Sequence, residues 1–246
     1  MRREQVLIAR AAGNPIPAGQ FRHYKREQAA ISRRRLYPLT CFYSGYSLAL
    51  FVIGLRTKHP YVALSFYLVG IPVWTFIEYF THRYVLHGWY KTGRWYKRLM
   101  VKYINPVHWE HHGRPFDGLH ISGQLKDLLP VFAVAAPLSF VFPTYTTPML
   151  LAGVVQCYVI EEWIHHSVHF YNFRNPYFRY IRKHHIYHHT FSGMELGYGF
   201  TSGFWDTVFG TRFPLSVRRR LYGKGRPDLV PESYDALQVK SRTFQS

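Results

Sequence analysis

Twelve of the fifteen histidines in this 246-residue chain fall into four short clusters. They read HRYVLH (His82, His87), HWEHH (His108, His111, His112), HHSVH (His165, His166, His169) and HHIYHH (His184, His185, His188, His189). On a helix, positions i, i+3 and i+4 share a face, so an HxxHH triplet turns three imidazoles into one volume. His108, His111 and His112 have that spacing, as do His185, His188 and His189. His165 and His169 are one turn apart. The five-residue step from His82 to His87 leaves one face of a regular helix, and a frayed end or local bulge is needed to bring those rings together. Each half of the chain thus offers a pair followed by a triplet, and ten such ligands suit two metal ions. In KHHIYHH the periodicity leaves the register open, because His184, His185 and His188 span the same arc as His185, His188 and His189. The isolated His23, His59 and His120 are read as surface or hydrogen-bonded side chains.

Imidazole ligands suit iron, copper or zinc. No HExxH occurs, which removes the usual zinc-peptidase arrangement of two histidines and a general-base glutamate. A redox metal in an all-imidazole site can activate dioxygen, so the pattern favours an oxygenase over a hydrolase.

The elements that must position these clusters are apolar blocks. Residues 36–55, 61–80, 128–142 and 148–164 contain almost no charge before their last residues. A bilayer core takes about 20 helical residues, which the first two satisfy and the last two approach. Lys and Arg total 31 against 13 Asp and Glu, a net charge of +18. Nine of those cations precede residue 36, two lie in 56–60, eight in 81–127, none in 143–147 and twelve after residue 170. By the positive-inside rule both termini and the 81–127 region are cytosolic. The reading excludes nucleic acid as the partner, and SRRR at 32–35 is assigned to the headgroup region. Cys41 and Cys157 fall inside expected spans, so no disulfide framework is expected.

The expected architecture is an all-α integral membrane protein. It has four transmembrane helices in two hairpins, about 37–55, 61–80, 128–143 and 147–164. A cytosolic helical cap, from regions 81–127 and 165–212, holds a histidine-ligated di-metal site. Residues 1–35 form a basic cytosolic segment, 36–246 a single membrane domain, and 213–246 its basic tail. The membrane is the cytoplasmic membrane or the endoplasmic reticulum. A metal carrier or a bis-histidine haem protein would carry ligands within its spans, where none of the clustered histidines lie.

The order HRYVLH, HWEHH with GRPFDG, EWIHHSVH, KHHIYHH and GYGFTSGFWDTVFGT resembles the fatty acid hydroxylase superfamily of membrane di-metal oxygenases over about residues 75–211. HHGRPFDG and YGFTSGFWDTVFGT are most similar to the fatty acid and ceramide 2-hydroxylases. The resemblance implies His82, His87, His108, His111, His112, His165, His169, His185, His188 and His189 as metal ligands, with His166 and His184 as extras. It implies two iron ions, replaceable by zinc in a purified sample, and hydroxylation at C2 of an acyl chain from a lipid in the bilayer, using dioxygen and two electrons. Asp117, Glu162 and Asp206 match family positions where an acceptor can orient an imidazole. Residues 1–35 are too short for a cytochrome b5 domain, so a separate electron donor, cytochrome b5-like or ferredoxin-like, is expected. LHISGQLKDLLP after FDG departs from the 2-hydroxylase pattern and leaves the head group open. A sterol or carotenoid oxygenase, or a lipid desaturase, is the alternative reading of the same site.

Overall fold

The computed structural model describes residues 21–88 and 105–223, together with 95, 98 and 99. Of the basic terminal segments, residues 1–20 and 224–246 lie outside the described residues. The fold is all-helical, with no strand among the described residues.

Helix α1, Phe21–Leu55, is 35 residues long and starts well before the apolar block, carrying the basic residues 22–35 on the same continuous rod. At 1.5 Å per residue it is about 52 Å long, more than the ~30 Å hydrocarbon core requires. Helix α2, Pro60–Phe80, begins on a proline, whose missing N–H belongs to an unpaired first turn anyway. It runs without a break into a π-helical segment, Thr81–Leu86. Helix α3, Asn105–Gly113, carries the second histidine cluster. The 15-residue α4, Leu125–Ser139, starts on a capping box in which Asp127 accepts from the Gln124 N–H at 2.7 Å. Helix α5, Thr147–Phe170, is 24 residues long. Asn175 caps α6, Pro176–His188, its Oδ1 accepting from the Tyr177 N–H at 2.9 Å. Two short helices complete the described residues, α7 (Phe204–Val208) and α8 (Leu215–Tyr222).

Helix α5 is the central element, packed against both α1 and α2. The crossing with α2 is made by glycine on both sides. A Cβ on Gly153 would stand 2.1 Å from the Tyr67 carbonyl oxygen, and one on Gly70 would stand 2.7 Å from the Gly153 carbonyl carbon. Such backbone approach is how small residues bring helices together where lipid offers no hydrophobic drive. Ser47 on α1 donates to the Ala152 carbonyl of α5 at 2.9 Å, a buried cross-helix bond. Nearer the histidine end, Leu39, Tyr43, Phe132, Val155, Tyr158 and Val159 form the main apolar core of α1, α4 and α5.

Polarity is inverted relative to a water-soluble protein. Leu48, Val52, Ile53, Leu68, Val69, Ile71, Val131, Val134 and Leu138 point outward, while twelve histidines are buried. Phe21–Leu55 and the continuous stretch Pro60–Leu86 are long and apolar enough to cross a membrane. At 15 residues α4 is about 22 Å long, and the exposed Phe140, Val141 and Phe142 extend its apolar surface.

The glycine crossing gives a direct test. Gly153→Ala is expected to cost about 1–3 kcal/mol, because two backbones must separate to admit one methyl. Gly45→Ala, whose Cβ meets nothing within 4 Å, is expected to leave the melting temperature of the detergent-solubilised protein unchanged.

Candidate metal centre

Four chain segments bring their histidines to one end of the helix bundle. The π-helical segment resolves the awkward spacing of the first pair: the His87 N–H bonds the His82 carbonyl at 3.0 Å, five residues back, and the two ring centroids stand 5.0 Å apart. Helix α3 supplies His108, His111 and His112, the last turns of α5 supply His165 and His169, and α6 supplies His185 and His188, with His189 as its C-cap.

The ring nitrogens gather into two groups. His111, His165, His169, His185 and His189 form one, and His82, His87, His112 and His188 the other, with the ligand atoms of each group within 4.8 Å of one another. His108 joins the second group, its Nε2 lying 2.7 Å from that of His87. The groups adjoin, since the His112 and His189 rings stack at 4.3 Å. All ten rings are buried, none more than 8% exposed.

Hydrogen bonding alone does not account for this arrangement. In the first group the Nε2 atoms of His111, His165, His169, His185 and His189 follow one another at 2.8–3.1 Å. A neutral ring nitrogen carries either one proton or one lone pair. His165, His169 and His185 each meet two such neighbours through a single Nε2, more than that capacity serves. Both ring nitrogens of His112 are buried with no hydrogen-bond partner among the described residues. A shared cation satisfies all of them: two imidazole nitrogens bound at about 2.1 Å and at right angles lie about 3.0 Å apart. The donor set therefore fits metal ions, one at each group.

The outer ring nitrogens fix the tautomers. His82 Nδ1 donates to the Tyr198 carbonyl at 2.6 Å, and His188 Nδ1 donates to the Leu196 carbonyl at 2.7 Å, leaving Nε2 of each ring with a free lone pair. Both carbonyls belong to the 196–201 loop, which two buried carboxylates hold. Asp206 accepts from the N–H groups of Tyr198 and Gly199 at 2.8 and 2.9 Å and from the Thr211 hydroxyl at 2.7 Å. Glu78 accepts from the N–H groups of Phe200 and Thr201 and from the Thr201 hydroxyl. At Gly197 φ is +65°, the left-handed region, and a side chain there would strike the Phe213 ring. The loop in turn sets the Phe200 ring over His165 and His185, with centroids at 4.3 and 4.2 Å, as an apolar wall.

The remaining sequence candidates lie around this centre. His166 Nδ1 meets the Ser32 hydroxyl at 2.8 Å. His184 Nδ1 meets the Tyr222 hydroxyl at 3.0 Å, and its Nε2 stands 3.5 Å from Asp206; neither ring joins a group. Asp117 accepts from the Leu119 N–H and from His120, each at 3.0 Å, and Glu162 accepts from the Gly123 N–H at 3.0 Å. Asp206 reaches the two groups through the loop backbone rather than through one of their rings. Sequence reasoning missed Glu78 and Phe200. The signal for Glu78 was present, as a carboxylate inside the apolar run one turn before His82.

Burial first, and neighbouring rings second, hold His108, His112, His165, His169, His185, His188 and His189 well below the ordinary histidine range; burial and the His82 ring push His111 down to about 3. The rings are neutral at physiological pH, the form that binds metal.

This centre defines an all-helical protein with two convergent polyhistidine groups able to hold metal ions. Residues 67–211 match the fatty acid hydroxylase family, a metal-dependent family of oxidoreductases, and the chain belongs to it. It is 32% identical over 146 residues to a dihydroceramide fatty acyl 2-hydroxylase of Arabidopsis thaliana, covering 58% of each chain. It is 28% identical over 158 residues to a fatty acid 2-hydroxylase of Rattus norvegicus, covering 62% of this chain and 41% of that one. The hydroxylase domain seen in the structure of full-length scs7p superposes with a TM-score of 0.64 at 26% identity, covering 73% of this chain and 67% of that one. The chain thus spans little more than half the length of the plant relative and less than half that of the rat relative.

Two outcomes follow from the geometry. The unfolded chain binds protons to these histidines near pH 6.5 and the folded chain does so only at lower pH. Stability is therefore full above about pH 6.5 and falls as pH drops through that value. Melting of the metal-free protein between pH 8 and 4.5 checks the sign. Asp206→Ala removes the acceptor of the Tyr198 and Gly199 N–H groups and of the Thr211 hydroxyl; it is expected to cost about 2–4 kcal/mol and to lower bound metal, read by elemental analysis, through the loop that holds His82 and His188.

Proposed function

We propose that the chain is a membrane lipid hydroxylase that inserts one oxygen atom at C2 of a fatty acyl chain. The observation that carries the reading is the pair of convergent imidazole groups at the end of helices whose outer surfaces are apolar. The acyl 2-hydroxylases among the relatives support the position of attack. We assign as ligands His111, His165, His169, His185 and His189 for one ion and His82, His87, His108, His112 and His188 for the other, and iron as the metal in both.

When bound, such an ion pair supplies the reduction of dioxygen and the removal of a C–H hydrogen. One oxygen atom enters the acyl chain and the other leaves as water, with two electrons and two protons consumed. The chain's own residues provide the conditions. The Tyr198 and Leu196 carbonyls hold two rings in the tautomer that presents Nε2, and Phe200 keeps water from His165 and His185. A lipid meets the outward apolar faces of α1, α2 and α4 and reaches the histidine end without leaving an apolar surface. Electrons come from a separate carrier. Four spans are assigned, α1 from about residue 37, α2, α4 with the residues to 143, and α5 to residue 164. Both termini and the histidine cap stand on the cytosolic side, and 36–246 forms one membrane domain.

Expression in a host followed by lipid analysis tests the activity: a gain of 16 mass units on acyl groups marks hydroxylation, and a loss of two marks desaturation. His165→Gln, His185→Gln or His189→Gln is expected to abolish product and lower metal content. His166→Gln and His184→Gln are expected to retain both ions and measurable activity. Loss of metal in His184→Gln with retention in His189→Gln would shift the ligand register by one residue.

A further inference from the structure

The short helix α7 has two faces of opposite character. Asp206, fully buried, turns inward and holds the Tyr198 and Gly199 N–H groups of the loop behind the histidine centre. Phe204 and Val208, one turn apart and about half a turn from Asp206, point outward and are 60 and 54% exposed, with the Phe209 ring exposed beside them. Polar groups near this outer face are already bonded: the Thr207 hydroxyl donates to the Gly203 carbonyl at 3.0 Å, and the Trp205 indole N–H donates to the Thr75 hydroxyl of α2 at 3.1 Å. We propose that α7 lies in the membrane, its outer face against lipid acyl chains just below the headgroups.

The level at which α7 meets α2 carries the assignment. Helix α2 has 21 residues, about 31 Å at 1.5 Å per residue, which matches the ~30 Å hydrocarbon core, and the stretch able to cross a membrane continues to Leu86. Helix α7 packs on the last turns of α2 rather than beyond its end. Trp205 bonds Thr75 and stands 5.1 Å from Phe76, and Phe209 stacks on Tyr79 at 5.3 Å. Thr75 precedes Phe80 by five residues, about 7.5 Å along the axis, so the contact falls within the apolar length of the span.

The exposed surfaces of the two helices are also continuous. Phe80 stands 6.1 Å from Phe76 and 4.9 Å from Tyr84, and these outward rings of α2 join α7 through Trp205 and Phe209. Lipid covering Phe76 and Phe80 therefore meets no polar boundary before Phe204 and Val208. A water-filled surroundings would instead leave one contiguous apolar patch bare, and a second copy of the chain would have to cover the outer side of α2 along with it. Exposed Arg212, Arg219 and Arg220 follow α7 in the chain, a succession of aromatic and cationic side chains suited to a lipid–water boundary. The inner face gives the placement a role. Tyr79 and Asp206 both bond the Thr211 hydroxyl, at 2.8 and 2.7 Å, so the loop that orients His82 through Tyr198 is fixed against the bilayer rather than suspended above it. The inference rests on the membrane reading above and is independent of the reaction.

The experiment places one nitroxide label per chain, on Val208→Cys, Leu68→Cys or Arg219→Cys in a Cys41→Ala, Cys157→Ala background, with each full chain reconstituted in dioleoylphosphatidylcholine vesicles. Collision of the label with oxygen, which concentrates in lipid, is compared with collision with a water-soluble nickel chelate. Exposed Leu68 in the middle of α2 sets the lipid limit, and exposed Arg219 on α8 sets the water limit. The label at Val208 is expected to collide more often with oxygen than with nickel, the order at Leu68 and the reverse of that at Arg219. Phe204→Cys, on the same face, is expected to repeat the result and decides it if Val208→Cys lowers the melting temperature. Nickel access at Val208 equal to that at Arg219, with Leu68 protected, would overturn the proposal and leave the spans standing. Nickel access at Leu68 as well would overturn the membrane reading and the proposal with it. Protection of Val208 from both reagents would assign the face to a protein contact and overturn the lipid one.

Discussion

Lone pairs of imidazole nitrogens crowded about 3 Å apart in a buried space repel one another unless something positive lies between them, and most of this fold serves to keep them there. Neutral rings, each with its lone pair pointed inward, are the condition for the centre. Burial enforces neutrality, and backbone carbonyls at Tyr198 and Leu196 enforce direction for His82 and His188. The carbonyls need a loop that does not move, so two carboxylates, Glu78 and Asp206, are themselves buried to hold its N–H groups. A polar network at this depth is stable only if its members are satisfied together. The acid in the apolar helix α2 and the acid in α7 thus belong to one construction, although neither contacts a ring of the two metal-binding groups directly.

The same economy shapes the membrane part. With lipid outside, apolar side chains gain little from turning inward, so cohesion comes from close backbone contact and buried hydrogen bonds. Gly70 against Gly153 and Ser47 on the Ala152 carbonyl supply these along α5. Helix α5 then continues past the expected end of its span to deliver His165 and on to His169, without a loop whose freedom would blur their positions.

Much of the centre was legible because a histidine triplet at helical spacing turns three lone pairs toward one volume, which little but a metal ion requires. The four clusters, the all-helical class and the separation of His23, His59 and His120 from them were readable directly. Periodicity could not choose between His184 and His189, since both share an arc with His185. The choice in the fold is made by distant residues: Tyr222 and Asp206 flank His184, and His189 closes on His185. The five-residue step at His82 and His87 announced an irregularity without its form, and the π-helical turn is that form. Residues 21–35 read as a basic flank, yet they continue α1 as regular helix, because charged side chains at the end of a long rod cost nothing where the rod leaves the lipid. Glu78 was hidden by its setting: an acid near the end of an apolar run looks like the end of the run.

The two halves of the sequence, each with a pair and a triplet of histidines, suggest one metal site apiece, and the groups are not divided that way. The first takes His111 from the N-terminal half and four rings from the C-terminal half; the second takes His82, His87 and His112 and completes itself with His188. Neither half encloses a site of its own. During synthesis, the first half emerges with ligands that have no complete partner set until residues 185–189 follow. Completion of either group therefore waits for residues 185–189, and a chain truncated before them holds neither group complete.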